Sequence, residues 1–582
     1  MQRPTATRNS IALRYADFAT LTDALDYAAQ GDTGANFYNG RGELTTSLPY
    51  ASLRADAHAV ARRLHGMGLE RGERIALVAE TTADFVRFFF GAQYAGLVPV
   101  PLPASVHLGG REAFVRQQRA LLDNCDASVA VAPDAFVDLL RESARGLELR
   151  FCGTPEEFAA LPLAAQMPRA PHPDELAYLQ YTSGSTRFPR GVMIDHATVM
   201  DNLAGIVRHG LEIGEDDRFM SWLPYYHDMG LVGLIFAPLT SQRSVDYLGT
   251  RDYAMRPRLW LDLMERNRAT IAFSPPFGYE LCARRLRPAD RERYDLSAWR
   301  IAGVGAETIR ATTLDKFAEA TEAMGFRREA FLPCYGMAEC SLAISFAPLD
   351  QPPAVDVVDA QRLAGQRAAV PVPADGEVQA KGFVNCGRPL PGFEMEIRAD
   401  DGRVLGDREC GSIFVRSRSV MSGYFNEPEI TRETLSADGW LNTGDVGYCL
   451  DGDIYVTGRA KDLFIINGRN IWPQDMEALA EEQPEVRPED SSAFVVPGPH
   501  GEDIAVMVVQ CRENDQQQRD DLVQRLQSAV RAELGIECFV ELVAPHTLPR
   551  TSSGKLSRSR ARREFLERSD WSETPQLAEA AG

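Results

Sequence analysis

The stretch Tyr181-Thr182-Ser183-Gly184-Ser185-Thr186-Arg187-Phe188-Pro189-Arg190-Gly191-Val192 interleaves hydroxyls with glycine, just after the apolar run Leu176 to Leu179. Such a loop packs backbone N–H and hydroxyl donors together with no side chain in the way, as wrapping a chain of phosphates requires. Arg187 and Arg190 add fixed positive charge. The same composition also makes an ordinary polar surface loop. The Walker spacing G-x-x-x-x-G-K-[ST] is absent. A second segment, Phe331-Leu332-Pro333-Cys334-Tyr335-Gly336-Met337-Ala338-Glu339, sets an aromatic before a glycine. That pair can stack on a base while the backbone comes close. Glu339, four residues past the tyrosine, can hold Mg²⁺ against phosphate oxygens. Read alone, the segment fits better as a strand-to-turn junction with a core tyrosine and a solvated glutamate.

A third segment is Trp440-Leu441-Asn442-Thr443-Gly444-Asp445, followed by Gly458-Arg459-Ala460-Lys461-Asp462. An aspartate just after a strand can accept both hydroxyls of a ribose, and an arginine can donate to the same sugar. Gly-Asp and Gly-Arg also mark solvated turns. The fourth is Leu548-Pro549-Arg550-Thr551-Ser552-Ser553-Gly554-Lys555-Leu556. A lysine on a glycine-bearing turn is a mobile point charge suited to a developing carboxylate–phosphate transition state.

These segments need elements to position them. Ile75 to Ala79 reads as a buried strand, and Asp84 to Tyr94 as an amphipathic helix. Strands alternating with helices imply mostly parallel sheets in an α/β protein. Pro99-Val100-Pro101-Leu102-Pro103 reads as a rigid extended connection. From Ser412 to Gly423 the pattern turns to short β-strands. Beyond Ala460 a small α/β unit is expected, with strands near Ala493–Val496 and Ile504–Gln510 and a helix over Gln518–Leu534.

The 582 residues suffice for more than one domain and a large core, and 45% hydrophobic with 25% charged residues is an ordinary globular balance. A formal net charge of −20 argues against broad nucleic-acid binding, which selects basic surfaces. Ten cysteines without a Cys-x-x-Cys pair fit neither metal spacing nor a disulfide framework, so a reducing compartment is expected. No apolar run approaches the roughly 20 residues of a membrane span. With no signal-peptide pattern at the N-terminus, the expectation is a cytoplasmic protein without stable membrane insertion.

Together and in this order, the four segments resemble the superfamily of adenylate-forming enzymes: acyl-CoA ligases, luciferases and the adenylation domains of peptide synthetases. The likeness runs from about Leu21 to Phe565. It implies an α/β fold in two parts. Residues 1–459 would form a large N-terminal domain of mixed and parallel sheets with helices and a β-rich subdomain. Residues 460–568 would form a small mobile C-terminal α/β lid, and 569–582 a disordered tail. ATP and Mg²⁺ are the implied co-substrate and metal. Thr182, Ser183, Gly184, Ser185, Thr186 and Arg187 would hold phosphates. Gly305, Ala306, Glu307, Tyr335, Gly336 and Met337 would surround the adenine, Asp445 and Arg459 the ribose, and Glu339 the metal. Lys461 matches the hinge and Lys555 the catalytic lysine. Val304 and Thr308 depart from the asparagine and proline that are common at their positions.

Within the superfamily the chain most resembles the fatty acyl-AMP ligases. Arg187 stands where most relatives have glycine, and Ser221-Trp222-Leu223-Pro224-Tyr225-Tyr226-His227-Asp228-Met229-Gly230-Leu231 is close to their signature. The stretch between Glu339 and Cys386-Gly387-Arg388 is long, and its portion around 350–381 resembles an insertion that restrains the lid and disfavours CoA. The resemblance implies two half-reactions. A fatty acid first becomes acyl-AMP with release of pyrophosphate. The acyl group then passes to the phosphopantetheine thiol of an acyl carrier protein. His227 is a candidate catalytic residue. Tyr226, Met229, Gly230, Phe236, Phe273 and Phe277 are candidates for the acyl pocket, each equally at home in a core. Arg558, Arg560, Arg562 and Arg563 could dock an acidic carrier or pair with the lid's own acids. A fatty acyl-CoA ligase and a noncatalytic adenylate-binding homologue are the alternatives; intact Lys555 and Glu339 argue against the latter.

Lys555 carries the first prediction. Its charge serves the transition state, so Lys555→Ala should slow acyl-adenylate formation about 10²-fold or more, the scale of a lost transition-state donor, with little change in ATP binding. Near-normal pyrophosphate exchange by that variant would remove the assignment.

Overall fold

The apolar runs of the first 350 residues become strands of layered sheets, with the intervening amphipathic segments as helices between them. The computed structural model describes residues 3–104, 110–182, 189–372, 378–466, 469–498, 502–550 and 556–569. The largest sheet has nine strands, ordered Arg388–Pro389, Ala343–Phe346, Phe331–Gly336, Ile301–Val304, Ile271–Ser274, Arg218–Ser221, Ser244–Leu248, Gly34–Tyr38 and Leu44–Pro49. Neighbours from Phe331–Gly336 through Gly34–Tyr38 pair in parallel, with antiparallel pairing at both flanks. Both faces are covered, so the parallel strands are buried almost throughout, and their few polar side chains must find partners inside.

A second, parallel sheet runs Val98–Leu102, Arg74–Val78, Ala127–Val131, Phe151–Gly153. The proline-rich segment expected as a connection is therefore a strand. It sits at the sheet's edge, where Pro99 and Pro101 leave no inner ladder bond unmade. The helix Ala83–Tyr94 begins where Thr82 accepts from the Phe85 N–H, and its buried face carries Phe85, Phe89 and Phe90. The antiparallel β-rich part comprises Glu394–Arg398, Gly411–Arg416, Leu441–Leu450 and Asp453–Arg459.

The chain after Ala460 builds its own hydrophobic clusters, apart from that of the N-terminal sheets. Strands Ser491–Pro497, Asp503–Gln510 and Cys538–Val543 pack against helices Pro473–Glu481, Gln516–Leu534 and Arg558–Arg568. Leu522, Leu526 and Val530, at four-residue spacing, bury one face of the long helix. All ten cysteines are free thiols. Among the described residues no helix is long and apolar enough to cross a membrane.

The segment 355–384 forms a strand pair, Val355–Asp359 with Ala380–Val384, and a helix, Ala360–Gln366. It is anchored on the β-rich part by a small core in which Val358, Leu363 and Phe383 meet Tyr448 and Tyr455. Asp356 accepts from the Tyr448 hydroxyl at 2.6 Å and from both terminal nitrogens of Arg408.

One buried ion pair ties the nine-stranded sheet to the N-terminal segment. Arg218 meets Asp246 through two hydrogen bonds, at 2.7 and 2.8 Å, and also donates to the Thr5 carbonyl. The two side chains are 3% and 0% exposed. Asp246→Ala would strand the guanidinium and should cost about 3–5 kcal/mol, read as a fall in thermal or urea stability. A loss under about 1 kcal/mol would mean that the surrounding oxygens suffice for Arg218.

Candidate active site

The C-terminal ends of the parallel strands converge on a cavity of about 390 Å³. This is where open α/β sheets place ligands, because the loops leaving neighbouring strands diverge there. Phe331–Gly336 delivers Tyr335 and Gly336, and Met337 to Glu339 follow on a short 3₁₀ turn. Ile301–Val304 leads into Gly305, Ala306 and Glu307. Ala306 adopts φ +69°, and a side chain at Gly305 would press on the Cys334 sulfur at 2.8 Å. Arg218–Ser221 leads to Tyr226, His227, Asp228 and Met229.

Two carboxylates from distant segments stand here, Glu339 lining this cavity and Asp445 bordering the adjoining one. Glu339 accepts from the Tyr424 hydroxyl at 2.8 Å, and burial pushes its carboxyl above the ordinary range. Asp445 accepts from the Tyr335 hydroxyl at 2.7 Å. Burial also raises the Asp445 carboxyl, against the pull of Arg459, whose Nε lies 3.5 Å away. The tyrosine that the sequence offered as a base-stacking ring thus also holds the candidate ribose ligand in place. His227 caps the short helix Asp228–Leu231, and its Nδ1 lies 2.6 Å from an Asp228 oxygen. Lys461 lines the cleft beside Arg459; desolvation, then that neighbouring charge, lowers its ammonium below the usual lysine range.

Thr182, Ala306, Tyr335, Gly336, Met337, Glu339, Arg459 and Lys461 all line the same cavity, with Tyr226, His227, Met229 and Phe273. Asp445 and Glu307 border a second cavity of about 910 Å³, between the N-terminal sheets and the C-terminal unit. Thr182 pairs with Arg190 across the ends of the phosphate-loop segment, N–H to carbonyl at 3.0 Å. Ser183, Gly184, Ser185, Thr186, Arg187 and Lys555 lie outside the described residues.

Three of the acyl-pocket candidates do not line the first cavity. Phe236 packs inward against Phe89, Phe90 and Tyr178, because the π-helical turn Val232–Phe236 presents Gly233 to the cavity instead. Gly230 is needed for a close approach, since a Cβ there would stand 2.2 Å from the Pro224 carbonyl oxygen. Phe277 borders the second cavity, edge-on to Trp222. The apolar end of the first cavity is made instead by Ile206, Leu211, Leu342, Ala343 and Phe346. Ile206 begins a second π-helical turn, Ile206–Gly210, and a Cβ at Gly210 would meet the Phe346 ring at 2.6 Å. Single-turn π elements reshape a helix face at functional sites. Tyr424 and these apolar residues were missed because nothing in their local sequence separates them from core.

The C-terminal unit is tied to the rest at separate points. Lys381, at the end of the insertion, meets both oxygens of Asp475 at 2.6 and 2.7 Å, and Gln379 donates to Glu533 at 2.8 Å. Arg310 pairs with Glu481. The arginines offered as a carrier dock are largely engaged within their own unit. Arg558 is clamped by Glu477 and Asp462, Arg562 donates to the Val495 carbonyl, and Arg560 and Arg563 stand near Glu564 and Glu567.

Residues 26–425 match the family described as AMP-binding enzyme. The chain belongs to the AMP-binding enzyme family. This AMP-binding enzyme is 47% identical over 97% of its length, and 98% of the relative's, to a protein of Caulobacter vibrioides provisionally named an acyl-CoA synthetase. It is 33% identical to the medium-chain-fatty-acid–[acyl-carrier-protein] ligase JamA of Moorena producens, covering 95% and 96% of the two chains. Among solved structures it superposes with a TM-score of 0.91 and 44% identity on one from a study of fatty acyl-adenylate ligases of E. coli and L. pneumophila, covering 96% of this chain and 99% of that one. It is therefore an adenylate-forming ligase.

Glu339 tests the electrostatics of the cleft. A carboxyl whose folded pKa lies above its unfolded value is better protonated when folded, so its contribution to stability falls as pH rises through that interval. Glu339→Gln should raise the melting temperature of the nucleotide-free enzyme near neutral pH. The gain should vanish as pH falls below about 4.3, the ordinary glutamate value. Adenylation should drop about 10²-fold. A stability gain that grows toward acid pH would contradict the account of this carboxyl.

Proposed function

We propose that this enzyme activates a medium- or long-chain fatty acid with ATP, releases pyrophosphate, and passes the acyl group from acyl-AMP to the phosphopantetheine thiol of an acyl carrier protein. The observation that carries the reading is one cavity with two ends. Tyr335, Glu339 and Arg459 line one, and Ile206, Leu211, Leu342, Ala343 and Phe346 the other. An unpaired ammonium would be costly against that apolar wall, so an acid without an α-amino group fits best. The names of the fatty-acid ligases among the relatives support the same substrate class.

In this reading the protein supplies position and charge rather than covalent help. Tyr335 packs on the adenine while its hydroxyl orients Asp445. Asp445 accepts from the ribose hydroxyls, with Arg459 beside it. Thr182 to Thr186, with Arg187 and Arg190, cradle the phosphates. Glu339 offers an oxygen donor suited to Mg²⁺, which commonly takes one or two protein carboxylates together with substrate phosphates. When bound, Mg²⁺ neutralises phosphate charge. His227, held by Asp228, faces the position between the nucleotide and acyl ends. Lys555 reaches the reacting carboxylate and α-phosphate oxygens. Lys461 is the pivot of the lid, residues 460–568.

The acceptor separates this reading from an acyl-CoA ligase. The insertion's bonds to the lid, Lys381 to Asp475 and Gln379 to Glu533, support a lid held back from free CoA chemistry. Pyrophosphate exchange across a series of acid lengths, followed by mass spectrometry with CoA or holo-carrier protein, tests the whole proposal. Medium- or long-chain acids and acyl-carrier product are expected. Efficient acyl-CoA formation by the intact enzyme would refute the acceptor assignment. Lys381→Glu combined with Gln379→Ala should leave exchange intact and let acyl-CoA appear; no acyl-CoA from that variant would remove the restraining role of these two contacts.

A further inference from the structure

The second cavity adjoins the first, sharing Tyr335, Arg459 and Lys461 with it, and is lined by residues of both units. One wall is the helix Pro276–Arg285, through Pro276, Phe277 and Glu280. One turn beyond Glu280, on the same face, Arg284 pairs with it at 3.0 Å. The helix then ends in a run of exposed arginines, Arg285, Arg287 and Arg291. Asp290, the acid in their midst, is buried and taken by Arg258, which reaches both of its oxygens at 3.0 Å. Arg293 is taken by Asp262. Among the described residues Arg285, Arg287 and Arg291 make no ion pair, so with exposed Glu292 beside them the segment that follows the wall helix keeps a local excess of positive charge, on a chain of net charge −20.

An acidic chain repels an acidic partner at long range, and only a local patch of opposite charge can turn that into steering. The lid arginines are poorly placed for it, since Arg558 and Arg562 are committed to their own unit. We infer that the arginine run at the end of the helix Pro276–Arg285 docks the acidic face of the thiol-armed carrier protein and aims its arm into the second cavity. The inference rests on the carrier-transfer reading above. It places recognition of the carrier body on the N-terminal part, while the lid closes over the arm.

The test uses full-length enzyme preloaded with acyl-AMP, and three readouts. Arg285→Glu, Arg287→Glu and Arg291→Glu are combined in one variant, and acyl transfer is followed to an acidic holo-acyl carrier protein and, separately, to free pantetheine. Transfer to the carrier should fall about tenfold or more at low salt, with the deficit shrinking as salt screens the patch. Pyrophosphate exchange and transfer to pantetheine, which has no protein body to dock, should be unchanged. Equal carrier transfer by variant and wild type overturns the dock. So does a parallel fall with pantetheine, which would mean that the arginines only support the cavity wall. Wild-type enzyme that adenylates but never loads the carrier would instead sink the acceptor reading, and the dock with it.

Discussion

Two carboxylates kept out of water organise this site. Glu339 and Asp445 are each burdened by burial, and each is steadied by a tyrosine hydroxyl, from Tyr424 and Tyr335 respectively. Among the described residues neither has the close, fully buried cationic partner that Asp246 has in Arg218. Carboxyls placed this way are destabilising in the empty enzyme and are relieved by donors or cations brought into the cleft. The surrounding fold supplies what that requires: a rigid parallel sheet whose strand ends deliver Tyr335, Ala306 and His227 to one place, and a β-rich part that brings Tyr424 and Asp445 from the other side.

The same economy governs the joint between the two units. The C-terminal unit has its own core, apart from that of the N-terminal sheets. Its contacts to the rest include discrete polar ties, Lys381–Asp475, Gln379–Glu533 and Arg310–Glu481, rather than one continuous apolar surface. Polar ties of this kind exchange readily with water and can be remade. Arg558, by contrast, binds Asp462 next to Lys461 and Glu477 within the lid, which couples the start of the unit to its last helix.

The candidate site residues stood out in the sequence by type and spacing, and the structure brings Tyr335, Glu339, Arg459 and Lys461 to one cavity. Tyr335 and Glu339 four residues apart, Asp445 before Arg459, and hydroxyls on both sides of a glycine at Thr182 to Thr186 are together combinations that packing alone rarely demands. The strands at Arg74–Val78, Ser491–Pro497 and Asp503–Gln510 were legible from apolar runs bounded by turn residues. The acyl end was not. Ile206, Leu211 and Phe346 look like any core residue, and Phe236, which the sequence offered for the pocket, packs in the core. Which apolar side chains face a cavity depends on two π-helical turns, whose extra residue rotates the helix face.

The sequence by itself determined the α/β class and the adenylate-forming chemistry on offer, because these follow from residue types, their order and their periodicity. Only the tertiary structure decided which groups meet. The prolines of Val98–Leu102 became an edge strand rather than a linker, since an edge has no inner hydrogen bond to lose. Tyr424 reached Glu339 across 85 residues of chain, and Lys381 reached Asp475 across 94. Contacts at such separations are set by how sheets and domains pack, and no local pattern of residues encodes them.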